Sequence, residues 1–108
     1  MVPRILKSKA FRRNGLLIVT FDESESRSDT CCFVPRGPNV KRQGIEGPGG
    51  GRTGAVLISP FIEPGTVNRE PYNHYDYLHT IEDIFGLGYL GYAAHPDVRS
   101  FGTDVFGG

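Results

Sequence analysis

Residues 15–23, with the sequence Gly-Leu-Leu-Ile-Val-Thr-Phe-Asp-Glu, decide the fold class. The apolar run from Gly15 to Phe21 predicts a strand buried on both faces, as in a parallel sheet covered by helices. Ligands of such sheets bind beyond the carboxyl ends of the strands, where Asp22 and Glu23 lie. Adjacent carboxylates are costly there unless a positive group neutralises them, so both residues are candidate ligands of a divalent metal. The alternative is an acidic turn in which water surrounds both carboxylates.

Composition limits the classes to which the chain can belong. Its 108 residues suffice for one small domain, and its 12 basic and 12 acidic residues give a formal net charge of zero. This balance argues against nucleic acid as a partner and against a general anionic-membrane surface. The sequence contains no apolar run long enough for a membrane span, and its first residues lack the apolar region of a signal peptide.

Glycine and proline are abundant, with 15 and 8 copies, and core-forming segments are correspondingly few. The first strand is accompanied by a second one at Ala55–Ser59, a short helix at Pro3–Phe11 and a longer helix at Asn73–Phe85. Residues 24–54 form a long Gly/Pro-rich loop. These elements are too few to cover a strand on both faces, so we expect the chain to be incomplete alone, either as part of a larger domain or in need of a partner.

The helix at Asn73–Phe85 has the clearest signals at both ends. Asn73 is a capping residue with Asp76 in the capping-box position, and Gly86 is suited to the residue after the helix. A turn is expected at Glu63–Thr66, around Pro-Gly. The apolar stripe of the helix is predicted to comprise Leu78, Ile81 and Phe85.

Two further features are candidates for chemistry. Arg52 ends a glycine-rich stretch and is a candidate for binding an anionic substrate, although a flexible connection is favoured over a phosphate loop there. His74 lies in the first turn of the longer helix, where a neutral imidazole could bind a metal or a phosphoryl oxygen. The alternative is a histidine bonded to a loop carbonyl. His79 is expected at the surface and His95 in a turn. Two adjacent cysteines at positions 31–32 do not define a redox compartment.

The ordered set of segments resembles the phosphoesterase family, which contains bacterial acid phosphatases and non-specific phospholipases C within the alkaline phosphatase superfamily. The resemblance rests on the first strand with Asp22-Glu23, on Gly-Gly-Gly-Arg52, and on Val-Leu-Ile-Ser-Pro60. It continues through Tyr-Asn-His74-Tyr and Thr80–Leu87, so it covers nearly the whole chain. It corresponds to the C-terminal part of a family member, and the whole of residues 1–108 is assigned to that part.

The resemblance implies an alkaline-phosphatase-like α/β fold with a mostly parallel sheet covered by helices. It also implies metal-assisted hydrolysis of phosphate esters, of the acid phosphatase or phosphatidylinositol-phosphate phosphatase type. Asp22 and Glu23 would bind a divalent metal whose identity the sequence leaves open, His74 would be catalytic, and Arg52 would bind substrate. The hydroxyl nucleophile of the family lies in an N-terminal half that has no counterpart here. Family members are often exported, which is the expectation for a full-length parent.

Two other functions remain open at this point. The chain could be an inactive fragment without the nucleophile, or a partner-dependent module that binds a metal or a phosphate. Whether it is an enzyme by itself therefore stays undecided by the sequence.

Overall fold

A computed structural model of the chain describes residues 1–22 and 52–107. These residues form helices and a two-stranded sheet, so the predicted α/β class is confirmed at that level. Glu23, both cysteines and most of the predicted loop at residues 24–54 lie outside the described residues. The described chain divides into two compact units. The sheet unit comprises Met1–Thr20, Gly54–Asn68 and residues 102–107, and the helix unit comprises residues 21–22, 52–53 and Arg69–Phe101.

The sheet unit begins with two short helices, α1 (Val2–Leu6) and α2 (Lys9–Asn14), in place of the single helix predicted at Pro3–Phe11. Ser8 separates them, because its backbone is extended and its hydroxyl accepts a hydrogen bond from the amide of Phe11 at 3.1 Å. A serine side chain that binds the backbone in this way stabilises a new helix start better than a helix interior.

Strands β1 (Leu17–Thr20) and β2 (Ala55–Ile58) pair in antiparallel orientation, with Thr20 opposite Ala55. Both strands were predicted, but among the described residues no parallel pair occurs, so the mostly parallel sheet stays a prediction. The expected burial of β1 on both faces is wrong for this chain, because Val19 is 51% exposed and its partner Val56 is 60% exposed. Burial on both faces requires a layer over each face, and two short helices provide too little apolar surface for that.

The helix unit contains α3 (His74–Phe85), whose predicted bounds and ends are confirmed. Asn73 accepts hydrogen bonds from the amides of Tyr75 and Asp76, and its own amide donates to the Asp76 carboxylate at 2.8 Å. At the other end Gly86 adopts φ 61°, a left-handed conformation that glycine reaches without steric cost. The predicted turn at Glu63–Thr66 of the sheet unit is likewise present, with Gly65 at φ 83°.

The buried face of α3 differs from the predicted apolar stripe. Asp76, Thr80 and Glu82 are at most 5% exposed, whereas Phe85 is 72% exposed and does not point inward as expected. The described segment after α3 is irregular except for a 3-10 helix at Gly91–Ala94, which packs against α3. The buried apolar residues of the unit belong to this segment, namely Tyr92, Ala93 and Val98.

Candidate functional site

The structure brings together two of the residues that the sequence singled out. Asp22 follows the end of β1 by two positions, and His74 is the first residue of α3. Nε2 of the His74 ring lies 2.9 Å from the backbone carbonyl oxygen of Asp22, across 52 positions of sequence. This contact agrees with the expected alternative of a histidine bonded to a loop carbonyl, and the carbonyl is that of the predicted metal ligand.

The partner of His74 determines the hydrogen position on its ring. A carbonyl oxygen only accepts hydrogen bonds, so Nε2 must carry the hydrogen and donate it to Asp22. In the neutral ring, Nδ1 is then the nitrogen with the lone pair. Histidine residues that bind metals or protons commonly have this arrangement, in which one nitrogen is held by a backbone carbonyl and the other stays available. His74 is exposed, so water or a ligand can reach it.

The side chain of Asp22 has the chemistry required of a ligand for a hard cation. Asp22 is exposed, and among the described residues its carboxylate makes no ion pair or hydrogen bond. Carboxylate oxygens are preferred ligands of calcium, magnesium and manganese. However, the described residues contain no group of three His, Cys, Asp or Glu side chains that could hold a metal ion. The donor type therefore fits a divalent metal, while a full set of ligands would need groups beyond those that the structure describes.

The other two predicted site residues are not joined to this pair. Glu23 lies outside the described residues. Arg52 is exposed, and within residues 1–22 and 52–107 its guanidinium forms no hydrogen bond or ion pair with Asp22 or His74. Its predicted role in binding an anion therefore stays a prediction.

His79 is a residue whose surroundings the sequence interpretation missed. Its side chain is only 14% exposed, so the expected surface position is wrong. Nδ1 lies 2.7 Å from the Ala93 carbonyl oxygen, and Nε2 lies 3.7 Å from the Asp83 carboxylate. The ring also stacks on Tyr89 with centroids 3.9 Å apart. His95 lies in the expected turn, where its carbonyl accepts from the amide of Val98 at 2.9 Å.

The buried polar side chains of α3 bind the backbone of the irregular segment that follows. The Asp76 carboxylate accepts from the Arg99 amide at 2.9 Å, and the Thr80 hydroxyl accepts from the Phe101 amide, also at 2.9 Å. The Glu82 carboxylate accepts from the Leu90 amide at 2.9 Å. A segment without regular structure has amide groups that need such partners when buried.

Asp83 has a perturbed acidity with a local cause. Ser100 and Tyr89 donate hydrogen bonds to its carboxylate and, in that order of importance, hold its pKa below the ordinary value. The same interaction raises the pKa of the Tyr89 hydroxyl, because ionised Tyr89 would lose its bond to Asp83 and face a negative charge. Ser100 and Tyr89 therefore stabilise the irregular segment around ionised Asp83. These two hydrogen bonds explain the lowered pKa of Asp83 without a catalytic role.

Comparison with known proteins gives a family match and a relative that covers most of this chain. The model of the Phosphoesterase family matches residues 1–88. The phosphatidylinositol-3-phosphatase of Mycobacterium tuberculosis (strain ATCC 25618 / H37Rv) is 32% identical over 95 residues, which cover 87% of this chain and 23% of that protein. The chain thus spans about a quarter of the length of this relative. No solved structure matches the chain. Since the family model covers most of the sequence, the chain belongs to the Phosphoesterase family.

Proposed function

We propose that this chain supplies part of the metal site of an enzyme that hydrolyses phosphate esters. The observation that carries the proposal is the hydrogen bond from His74 to the carbonyl of Asp22, because it joins two residues singled out from different segments. The family membership and the phosphatase name of the relative support the reaction class. An alkaline-phosphatase-like fold with a mostly parallel sheet is proposed for the intact protein.

The roles of the residues follow from their chemistry. Asp22 and Glu23 would hold a divalent metal ion, which when bound would offset the charge that develops on the phosphoryl oxygens. His74 fixes the backbone at Asp22, and the free Nδ1 of its neutral ring can accept a proton or a hydrogen bond. Arg52 would attract the anionic phosphate group.

The substrate class is proposed from the relative. Its name specifies the 3-phosphate of phosphatidylinositol, so phosphoinositides are the first substrates to test, followed by simple phosphomonoesters. The intact enzyme would use a hydroxyl nucleophile from an N-terminal half, as the family resemblance implies.

A second function is favoured by one observation. The chain covers 23% of the length of its relative, so it could bind a metal or a phosphate only together with a partner and lack turnover by itself. Such a partner-dependent module would share Asp22 and Glu23 with the enzyme but would not hydrolyse any ester in isolation.

The test measures metal binding and turnover separately. Calorimetric titration with Mg²⁺, Ca²⁺ and Mn²⁺ would compare the unchanged chain with Asp22→Asn and with Glu63→Gln, an exposed carboxylate of the sheet unit. We expect Asp22→Asn to weaken metal binding by at least about tenfold and Glu63→Gln to leave it unchanged. Release of phosphate from phosphatidylinositol 3-phosphate would then distinguish the enzyme from the module. Equal metal affinity in all three proteins would remove Asp22 from the site.

A further inference from the structure

The net charge of zero conceals an uneven distribution of charge along the chain. Residues 1–21 contain five basic side chains and no acidic one, whereas the rest of the chain contains seven basic and twelve acidic residues. The first 21 residues thus have a net charge of +5 and the remainder −5. An asymmetry of this kind is typical of a segment that meets an anionic surface.

Helix α2 concentrates part of this charge on one face. Lys9, Arg12 and Arg13 are spaced three and four residues apart, which places their side chains side by side on the helix. All three are exposed, and within the described residues none of them forms an ion pair. Phe11 lies on the other side of α2 and is half-buried against Gly15. The charged face is therefore the one that α2 presents to solvent.

Helix α1, which precedes α2 in the chain, has exposed apolar side chains of its own. Val2 and Ile5 are spaced three residues apart and are 41% and 36% exposed, and Met1 before them is 96% exposed. Helices α1 and α2 contact each other within the sheet unit. We call the exposed side chains of residues 1–13 the N-terminal surface. It combines cations with apolar groups, which is the composition of protein surfaces that lie in the headgroup region of a membrane.

We propose that the N-terminal surface docks on a lipid bilayer that contains anionic headgroups. Nucleic acid would be attracted by the cations, but its phosphates would gain nothing from exposed Met1, Val2 and Ile5. A bilayer can bind both the cationic and the apolar side chains, because its phosphates pair with Arg and Lys while its acyl boundary takes up the apolar side chains. The choice of lipid also rests on the proposed function, whose first substrate class is a phosphoinositide. None of the helices within residues 1–22 and 52–107 has the length and apolar composition of a membrane span.

The test is co-sedimentation of the purified chain with vesicles of phosphatidylcholine, with and without phosphatidylserine. We expect binding only to the vesicles with phosphatidylserine, and a steep loss of binding as salt is raised. Each cation near a charged bilayer contributes about fivefold in binding, so Arg12→Gln with Arg13→Gln should weaken it by more than about tenfold. Arg69→Gln, an exposed cation of the helix unit, is the matched control and should bind as the unchanged chain does. Circular dichroism would check that the variants stay folded.

A second pair of variants separates lipid from nucleic acid. Val2→Ser with Ile5→Ser should weaken vesicle binding while leaving any binding to single-stranded DNA unchanged. The proposal is overturned if the chain ignores phosphatidylserine, if the arginine variants bind vesicles as well as Arg69→Gln, or if DNA binds tightly and the serine variants bind vesicles normally. Phosphatidylserine is not a phosphate-monoester substrate, so this result does not depend on turnover. If the chain hydrolyses phosphate esters but does not bind vesicles, only the docking proposal is rejected. If it binds vesicles but does not hydrolyse phosphate esters, only the proposed hydrolysis is rejected.

Discussion

The sheet unit leaves apolar strand side chains in contact with water, whereas the helix unit buries polar ones. Val19 and Val56 face each other across β1 and β2 and are more than half exposed. Asp76, Thr80 and Glu82 on α3 are almost completely buried. The difference teaches that the burial of a side chain here depends on whether the neighbouring backbone needs it as a hydrogen-bond partner. Strands satisfy each other's amides, but the irregular segment after α3 has to find acceptors among side chains.

The largest expected effect comes from removing one of these acceptors. Asp76→Ala would leave the amides of Arg99 and Asn73 without their carboxylate partner in a buried place. We expect the free energy of unfolding to fall by roughly 3 kcal/mol, measured by urea denaturation with tyrosine fluorescence. Asp97→Ala is the matched control, because that side chain is 82% exposed. Equal stability of the two variants would mean that the buried face of α3 contributes little.

A smaller effect is expected at the end of α3. Gly86→Ala places a side chain on a residue with φ 61°, where no heavy atom beyond the adjacent residues lies within 4 Å of the new Cβ, so the cost is conformational. We expect a loss of about 1 kcal/mol in thermal denaturation. Gly88 also has open space for a new Cβ, but its φ is not positive. Gly88→Ala should therefore cost much less. Similar losses in both variants would contradict this explanation.

Acid should weaken the helix unit through Asp83. Its pKa is lower in the folded chain than in the unfolded chain, so its contribution to stability is complete above the unfolded value and is lost as the pH falls through the folded value. The unfolding free energy should therefore decrease below about pH 4. Ser100→Ala removes the main cause of the lowered pKa, so its unfolding should depend less on pH in this range. Identical pH profiles of the two proteins would exclude this role of Ser100.

The smallest effect is expected in the sheet unit. Val56→Thr keeps the β-branched shape and changes a side chain that is 60% exposed. The free energy of unfolding should change by less than about 0.5 kcal/mol. A loss well above 1 kcal/mol would show that Val56 is buried in solution, by a second copy or another chain, and would remove the contrast between the two units. Sedimentation of the unchanged chain at several concentrations would identify a second copy.

The sequence predicted the elements better than their burial. The strand positions, the ends of α3 and the turn at Gly65 depend on local signals, namely apolar runs, capping residues and glycine conformation. Helix α2 was merged with α1, because a serine at position 8 is compatible with either a helix interior or a cap. The burial of Asp76 could not be predicted, since it depends on the amide of Arg99 at a distance of 23 positions.

The sequence predicted the two residues of the candidate site but not the hydrogen bond between them. Asp22 and His74 were each chosen from their place at the end of a strand and at the start of a helix. Their hydrogen bond joins residues 52 positions apart, and nothing in either segment specifies the other. Conversely, His79 was placed at the surface because its neighbours are charged, although one of those neighbours, Asp83, lies close to its ring.

The spacing of the contacts also has a consequence for the order of folding. Side-chain hydrogen bonds between α3 and the following segment join residues 6 to 23 positions apart, and residues next to α3 close both of its ends. The bond that ties Thr20 to Gly54 beside the sheet spans 34 positions, and the strand pairs span more. Closing a longer loop costs more entropy before any contact offsets it. We therefore expect the helix unit to acquire protected amides earlier in refolding than β1 and β2 do.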